Sequence, residues 1–233
     1  MASIYKNAPL ASASFEARFA GDLSIETKRD LFQKAIQYTY PKLYVPNADP
    51  EKAPSLQHYQ FRKEDGSAVV GLAVNSFMYT SRHYPGFPNF KKELEEAWKI
   101  FSDLYDIPSF NRVGLRYINR LPLIRDERHS IPLSKLVTAK LSLASGVSSD
   151  VLYDLGLTVV CETPRGRFRI MMGNEEGEKG LEILLLDLDF FRLGPIAKED
   201  RIAFIDEAHE QIEAAFLELI SKEFRDIMEG SNQ

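Results

Sequence analysis

Only one cysteine, Cys161, stands in the 233 residues, so no intrachain disulfide can form. That fits a chain folding in a reducing cytosol. No apolar run approaches the ~20 residues that a membrane helix needs. Met1 to Leu10 holds no apolar stretch long enough for a signal peptide, so a cytoplasmic location is expected. Basic charge is scarce: 29 Lys and Arg face 34 Asp and Glu, a net charge of -5. A nucleic-acid binder usually needs a basic field to release counterions from phosphates, so nucleic acid is disfavoured, although a local basic face stays open. The histidines His58, His83, His129 and His209 are scattered without metal-ligand spacing. No serine or cysteine sits in a recognisable nucleophile context. The loop 173–180 is acidic and has no helix after it, so it is not a phosphate loop. No cofactor is expected, and no segment is of low complexity.

What is present is an ordinary globular balance, 44% apolar and 27% charged. The 15 Phe and 10 Tyr supply a core of large side chains or a lined cavity. The length suits a single compact domain over 1–233, or two packed lobes, 1–125 and 126–233. Cys161 closes the apolar run that starts at Leu157, and a buried thiol is expected there.

Hydrophobic periodicity gives the elements. From Ala11 to Phe19 apolar and polar residues alternate, the mark of a strand with one buried face. Thr27 opens a helix with Leu31, Phe32, Ala35, Ile36 and Thr39 as its stripe, and Pro41 ends it. The segment Pro41 to Pro54 reads as a loop. A hairpin follows, Gln57 to Arg62 and Ala68 to Ser81, turned by Asp65-Gly66. A helix from Asn89 to Asp106 carries Leu94, Ala97, Trp98 and Phe101 on one side. A strand then runs from Asn111 to Leu121. This β-α-β-β-α-β order resembles a ferredoxin-like unit. Pro132 to Val137 reads as a short helix and Ala139 to Val147 as a strand. Val151 to Glu162, Gly166 to Met172 and Gly180 to Phe191 form an antiparallel meander, because their connections are too short for parallel crossovers. One helix, Lys198 to Met228, closes the chain with Ile202, Ile205, His209, Ile212, Phe216 and Leu219 in a stripe roughly 45 Å long. Such a helix must cross a wide sheet or meet a partner. The class is α+β with antiparallel sheet and three main helices. Each half shows antiparallel strands closed by a helix, the outline of a repeat.

Three groups of residues could carry chemistry. Arg112, Arg116 and Arg120 share one face of their strand and could hold a carboxylate or phosphate through forked hydrogen bonds. The favoured reading is the blander one, a solvated face or arginines paired with acids of a neighbouring strand, since cross-strand pairs are the usual arrangement. Asp187 and Asp189 share a face of a strand apolar on both sides, and buried carboxylates need partners. A pair two residues apart could take Mg²⁺ or Mn²⁺, but no third ligand is indicated and no metal is assigned. His209 is either a buried neutral imidazole or a general base beside Asp187 or Asp189. The aromatic loop from Phe77 to Phe90 could line a pocket or pack over the sheet edge.

Asn7-Ala8-Pro9-Leu10 before a strand ending Phe15-Glu16-Ala17-Arg18-Phe19 is one anchor of a wider pattern. The strand Arg112 to Leu121 is a second. Asp187-Leu188-Asp189, followed by a helix with His209, Ile212, Phe216 and Ile220, is the third. Together they resemble a sporadically distributed family of uncharacterised prokaryotic proteins of about this length. The resemblance implies a bacterial or archaeal cytoplasmic protein and carries over no catalytic role. Its patchy distribution is similar to that of defence, mobile-element and toxin–antitoxin genes.

Three functions compete. One is a non-enzymatic binding or regulatory protein of a prokaryotic accessory system, with a protein partner or homo-oligomer docked on an exposed Ile212 or Phe216. Another is a ligand-binding or hydrolytic enzyme whose cleft gathers Arg116, Arg120, Asp187, Asp189 and His209. The last is RNA or nucleotide binding through the ferredoxin-like lobe.

Overall fold

Alternation builds the sheet from its first strand. In β1 (Leu10–Arg18) the side chains of Ala13, Phe15 and Ala17 are fully buried, while Ser12, Ser14, Glu16 and Arg18 point the other way. The computed structural model describes residues 8–45, 58–141, 151–177 and 180–230. After β1 come α1 (Ser24–Thr27), α2 (Arg29–Ile36), β2 (Lys42–Tyr44), β3 (Tyr59–Arg62), β4 (Ala68–Ala73), β5 (Ser76–Ser81), α3 (Phe87–Leu104) and β6 (Ser109–Pro122). The second half adds α4 (Leu133–Leu136), β7 (Gly156–Thr163), β8 (Gly166–Glu176), β9 (Glu182–Ala197), α5 (Arg201–Leu219) and α6 (Lys222–Glu229). The fold is therefore α+β, with one large antiparallel sheet and six α-helices among the described residues instead of three. None of these helices is long and apolar enough to cross a membrane.

The strand order is β2-β3-β4-β5-β1-β6-β9-β8-β7. It is palindromic about the β1–β6 seam. In the first half β1 leads through helices to a run whose last strand, β5, returns beside β1. In the second half β6 leads through α4 to β7, β8 and β9, and β9 returns beside β6. Two copies of a β-α-β-β-β arrangement thus meet back to back, with β2 added at one edge.

This differs from the expected β-α-β-β-α-β order because the stretch Ala68–Ser81 is two strands. Val74 and Asn75 turn the chain between the paired residues Ala73 and Ser76. The turn carries no glycine or proline. It is held by its surroundings, since the Asn75 carbonyl accepts from Phe19 N–H at 3.0 Å and the Val74 carbonyl from Asp22 N–H at 2.9 Å. Four strands therefore stand between the first helices and α3.

The core lies between one sheet face and the helices. Trp98 of α3 meets Phe15 and Phe77 edge-on, with ring centroids 5.9 and 5.2 Å apart, and Phe204 of α5 stacks on Phe190. Edge-to-face pairs of this kind add to plain burial. In α2 the buried line is Phe32, Ile36 and, just beyond the helix, Tyr40, spaced by four; Leu31, Ala35 and Thr39 are exposed.

The long terminal helix is broken. Ile220 takes an extended backbone and bridges Val137 in antiparallel fashion. Thr138 N–H donates to the Leu219 carbonyl at 2.7 Å, and Ser221 N–H to the Leu136 carbonyl at 3.0 Å. Ser221 then caps α6 by accepting from Phe224 N–H. The chain around α4 thus takes the backbone groups that a continuous helix would have used. β7 is an edge strand, which leaves the Cys161 thiol exposed instead of buried. The expected strand Ala139–Val147 does not begin at 139–141, and the rest of it lies outside the described residues. Of the expected loop Pro41–Pro54, Lys42–Tyr44 is strand β2 and 46–54 lies outside the described residues.

Candidate functional site

The sheet face away from the helices carries the charge. In register, Arg116 of β6 lies between Ser14 of β1 and Asp189 of β9, and Asp189 lies beside Arg169 of β8. Each side chain reaches diagonally to a partner. Arg116 grips Asp187 as a fork, Nε to Oδ1 at 2.8 Å and Nη2 to Oδ2 at 2.7 Å. Arg112 donates to both oxygens of Asp189 at 3.0 and 2.9 Å and, from its other nitrogen, to Glu16 at 3.0 Å. Arg18 pairs with Glu16 at 2.9 Å. Arg169 stands between the aspartates, 3.4 Å from Asp187 and 3.6 Å from Asp189.

The result is an alternating ladder, Arg18–Glu16–Arg112–Asp189–Arg169–Asp187–Arg116, with four guanidiniums and three carboxylates. It crosses four strands and begins and ends on arginine. Asp187 is fully buried and Asp189 nearly so, while Arg116 and Arg169 keep 40% and 32% of their side chains in solvent. Burial pushes the Asp189 carboxyl above its usual range, against the pull of Arg112 and Arg169. The hydrogen bond to Asp187 raises Arg116 further above its already high value.

A glycine makes room for this. A Cβ on Gly114 would stand 2.6 Å from Arg112 Nη1 and 2.9 Å from its Cζ. The Arg112 guanidinium lies across that bare stretch of β6, with the Phe191 ring 4.7 Å away. Over the ladder opens a cleft of about 430 Å³ lined by Ser14, Glu16, Arg18, Met78, Arg112, Gly114, Arg116, Arg169, Asp189 and Phe191.

Of the five candidate residues, Arg116, Asp187 and Asp189 meet here. Arg120 lies further along the same strand face and pairs loosely with Glu175 at 3.6 Å. His209 is on the other side of the sheet. Its Nδ1 is 2.9 Å from the Tyr117 hydroxyl, and its ring stacks on Phe87 at 3.7 Å. Tyr117 follows Arg116 in the strand and therefore points through the opposite face. A single cleft with His209 as base to Asp187 or Asp189 does not form. The aromatic loop is likewise internal: Tyr84 touches Tyr117, and Phe77, Tyr79 and Phe90 are buried.

Glu16, Arg18 and Arg169 were missed as members of the site. The signal for the first two was present, as polar members of the alternating first strand. Arg169 carried only the same alternation, Arg167-Phe168-Arg169, within a strand read as part of a meander. His58 sits on the same face, its Nε2 2.8 Å from the Ser76 hydroxyl, and burial lowers its pKa. Ser76 is itself buried, so this pair is a packing hydrogen bond and not an open nucleophile.

Chemically, each carboxylate of the ladder is already held by a guanidinium, which leaves no free base. What the cleft lining keeps unspent is mainly N–H donors of Arg116 and Arg169, together with the Oε1 of Glu16, whose two arginine partners both bind Oε2. Among the described residues no three of His, Cys, Asp and Glu gather as a metal-holding group. Compared with known proteins, the chain matches no family model and no curated sequence.

Proposed function

We propose that this chain is a non-enzymatic binding protein and that it meets its ligand on the helix-free face of the sheet. The observation that supports this is the ladder. All three carboxylates are paired with arginine, Asp187 through a two-point fork, and Arg116 and Arg169, each with N–H groups to spare, line an open cleft. Reaction chemistry needs a group poised to take or give a proton within reach of the reacting atom. His209, the residue best suited to that, is separated from the aspartates by the sheet itself. The nucleic-acid reading fares less well, because a surplus of one guanidinium releases few counterions.

The partner surface moves accordingly from the terminal helix to the sheet. Ile212 is fully buried and Phe216 partly so, which takes the apolar centre from the expected docking stripe. A place in a prokaryotic accessory system, defence-related or of the toxin–antitoxin kind, belongs to the same proposal and rests on the resemblance of the three anchors.

Native mass spectrometry of the gently purified full chain tests the reading. A bound mass should be retained by the wild type and lost in Ser14→Tyr, which fills the cleft while leaving every ladder residue in place. Turnover of a simple ester or phosphomonoester that Asp187→Asn abolishes would overturn the non-enzymatic reading.

A further inference from the structure

The surplus guanidinium has a location. Arg116 spends Nε and Nη2 on Asp187, and its Nη1 donates to no group among the described residues, while the side chain stays two-fifths exposed. Arg169 comes to the same Asp187 oxygen from the β8 side, at 3.4 Å against 2.7 Å for Arg116. A charge-assisted N–H···O bond is normally about 2.7–2.9 Å, so Arg169 is held at arm's length. Its Nε is buried and has no hydrogen-bond partner among the described residues. A guanidinium has five N–H donors, and Arg169 uses one of them, at long range. Two guanidiniums that line an open cleft thus flank one oxygen of the buried Asp187 beneath it, and one of them is barely engaged. The opposite end of the ladder differs: Arg18 closes on Glu16 at 2.9 Å and is otherwise half in water.

We propose that Arg116 and Arg169 form an oxyanion seat that takes the phosphate or carboxylate group of a small anionic ligand beside Asp187. This deepens the binding reading above and rests on it. An anion placed there adds the negative charge that a ladder of four cations and three anions lacks. The planar guanidinium fork suits both oxyanions. Arg169 gains short hydrogen bonds in place of long ones, so binding orders a side chain that is now loosely tied. The rest of the ligand extends over Gly114 towards Ser14 and Met78, where the cleft continues.

Isothermal titration of the full chain at low ionic strength tests this, with inorganic phosphate in one arm and succinate in the other. The wild type should bind at least one of them saturably. Arg169→Gln should weaken that binding about tenfold or more, as loss of a charge-assisted contact does. Arg116→Gln should do the same, and Arg18→Gln should leave it within about twofold. Because Arg169 makes only long contacts, its variant keeps the fold, which a melting curve verifies; it decides the matter even if Arg116→Gln unfolds. Binding of phosphate alone assigns a phosphate ester, binding of succinate alone a carboxylate, and either supports the seat. No saturable heat with either anion overturns it, as does Arg169→Gln binding as tightly as the wild type. If both anions fail while the mass retained in native spectra is still lost in Ser14→Tyr, the seat fails and the binding reading stands. If no mass is retained either, both fall.

Discussion

At the residue scale the ladder is asymmetric, and the asymmetry has measurable consequences. Asp187 is fully buried, whereas Arg116 is two-fifths exposed. Removing the arginine leaves a buried carboxylate with only the long Arg169 contact; removing the carboxylate leaves a guanidinium that can turn to water. Arg116→Ala should therefore cost about 2–4 kcal/mol and Asp187→Asn about half as much, measured by urea unfolding. Equal costs, or the reverse order, would show that Asp187 is not held mainly by Arg116. Gly114→Ala should displace the Arg112 guanidinium and cost about 1–3 kcal/mol, although the site is on a strand where alanine is otherwise tolerated. His209 gives a pH signature. Burial lowers its pKa below 6.5, so the unfolded chain takes up the proton more readily than the native one. Its contribution to stability is thus present above the unfolded value and is lost as pH falls below about 6.5. The gap in melting temperature between pH 7.5 and pH 5 should narrow in His209→Gln. How the charged residues combine was half legible: alternation placed Arg112 and Arg116 on one strand face and the two aspartates on one face of another. It could not say that these were the same face of the sheet, nor that His209 lay behind it, because both depend on strand pairing.

At the element scale, strands with polar and apolar sides announced themselves, because a period of two is local. Two features escaped for a shared reason. The Val74-Asn75 turn and the Ile220 break contain no glycine or proline, and both are imposed by distant backbone. Phe19 and Asp22 hold the turn, and Leu136 to Thr138 hold the break. Ser221 is the sensitive point of the second. It is buried, caps Phe224 N–H and donates to the Lys135 carbonyl. Ser221→Ala should cost about 1–2 kcal/mol in chemical denaturation, more than an exposed cap would. A loss under about 0.5 kcal/mol would mean that the α5–α6 junction is held by its backbone bonds alone. The thiol of Cys161 tells of the sheet edge. An apolar run around a cysteine reads as interior, but β7 has a strand on one side only and is exposed along most of its length.

At the scale of the whole molecule, the palindromic strand order raises the question of whether the two halves unfold together. Their seam is β1 against β6, paired from Leu10–Asn119 to Arg18–Arg112 with one irregularity near its start. β6 is bonded on its other side to β9 along almost its entire length, so the strand that belongs to the second half by topology is the partner of the first half by hydrogen bonding. The ladder crosses the same seam, since Arg112 of β6 ties Glu16 of β1 to Asp189 of β9. Parting the halves at this seam opens the β1–β6 pairing, exposes the edges of two central strands and breaks the Arg112–Glu16 bond, which makes separate unfolding costly. Two probes report on different places. Trp98, the single tryptophan, sits at the joint, packing on Phe15 of the first half and touching Phe110 and Arg201 of the second, and an exposed Cys161 offers a labelling site at the far edge of the second. Tryptophan fluorescence and a fluorophore on Cys161 should therefore give coincident urea midpoints. The label itself should go on stoichiometrically in the native state, without measurable loss of stability. Midpoints that separate would mean that the seam is a contact between two independent domains, and that a ligand on the ladder binds across a joint instead of on one rigid sheet.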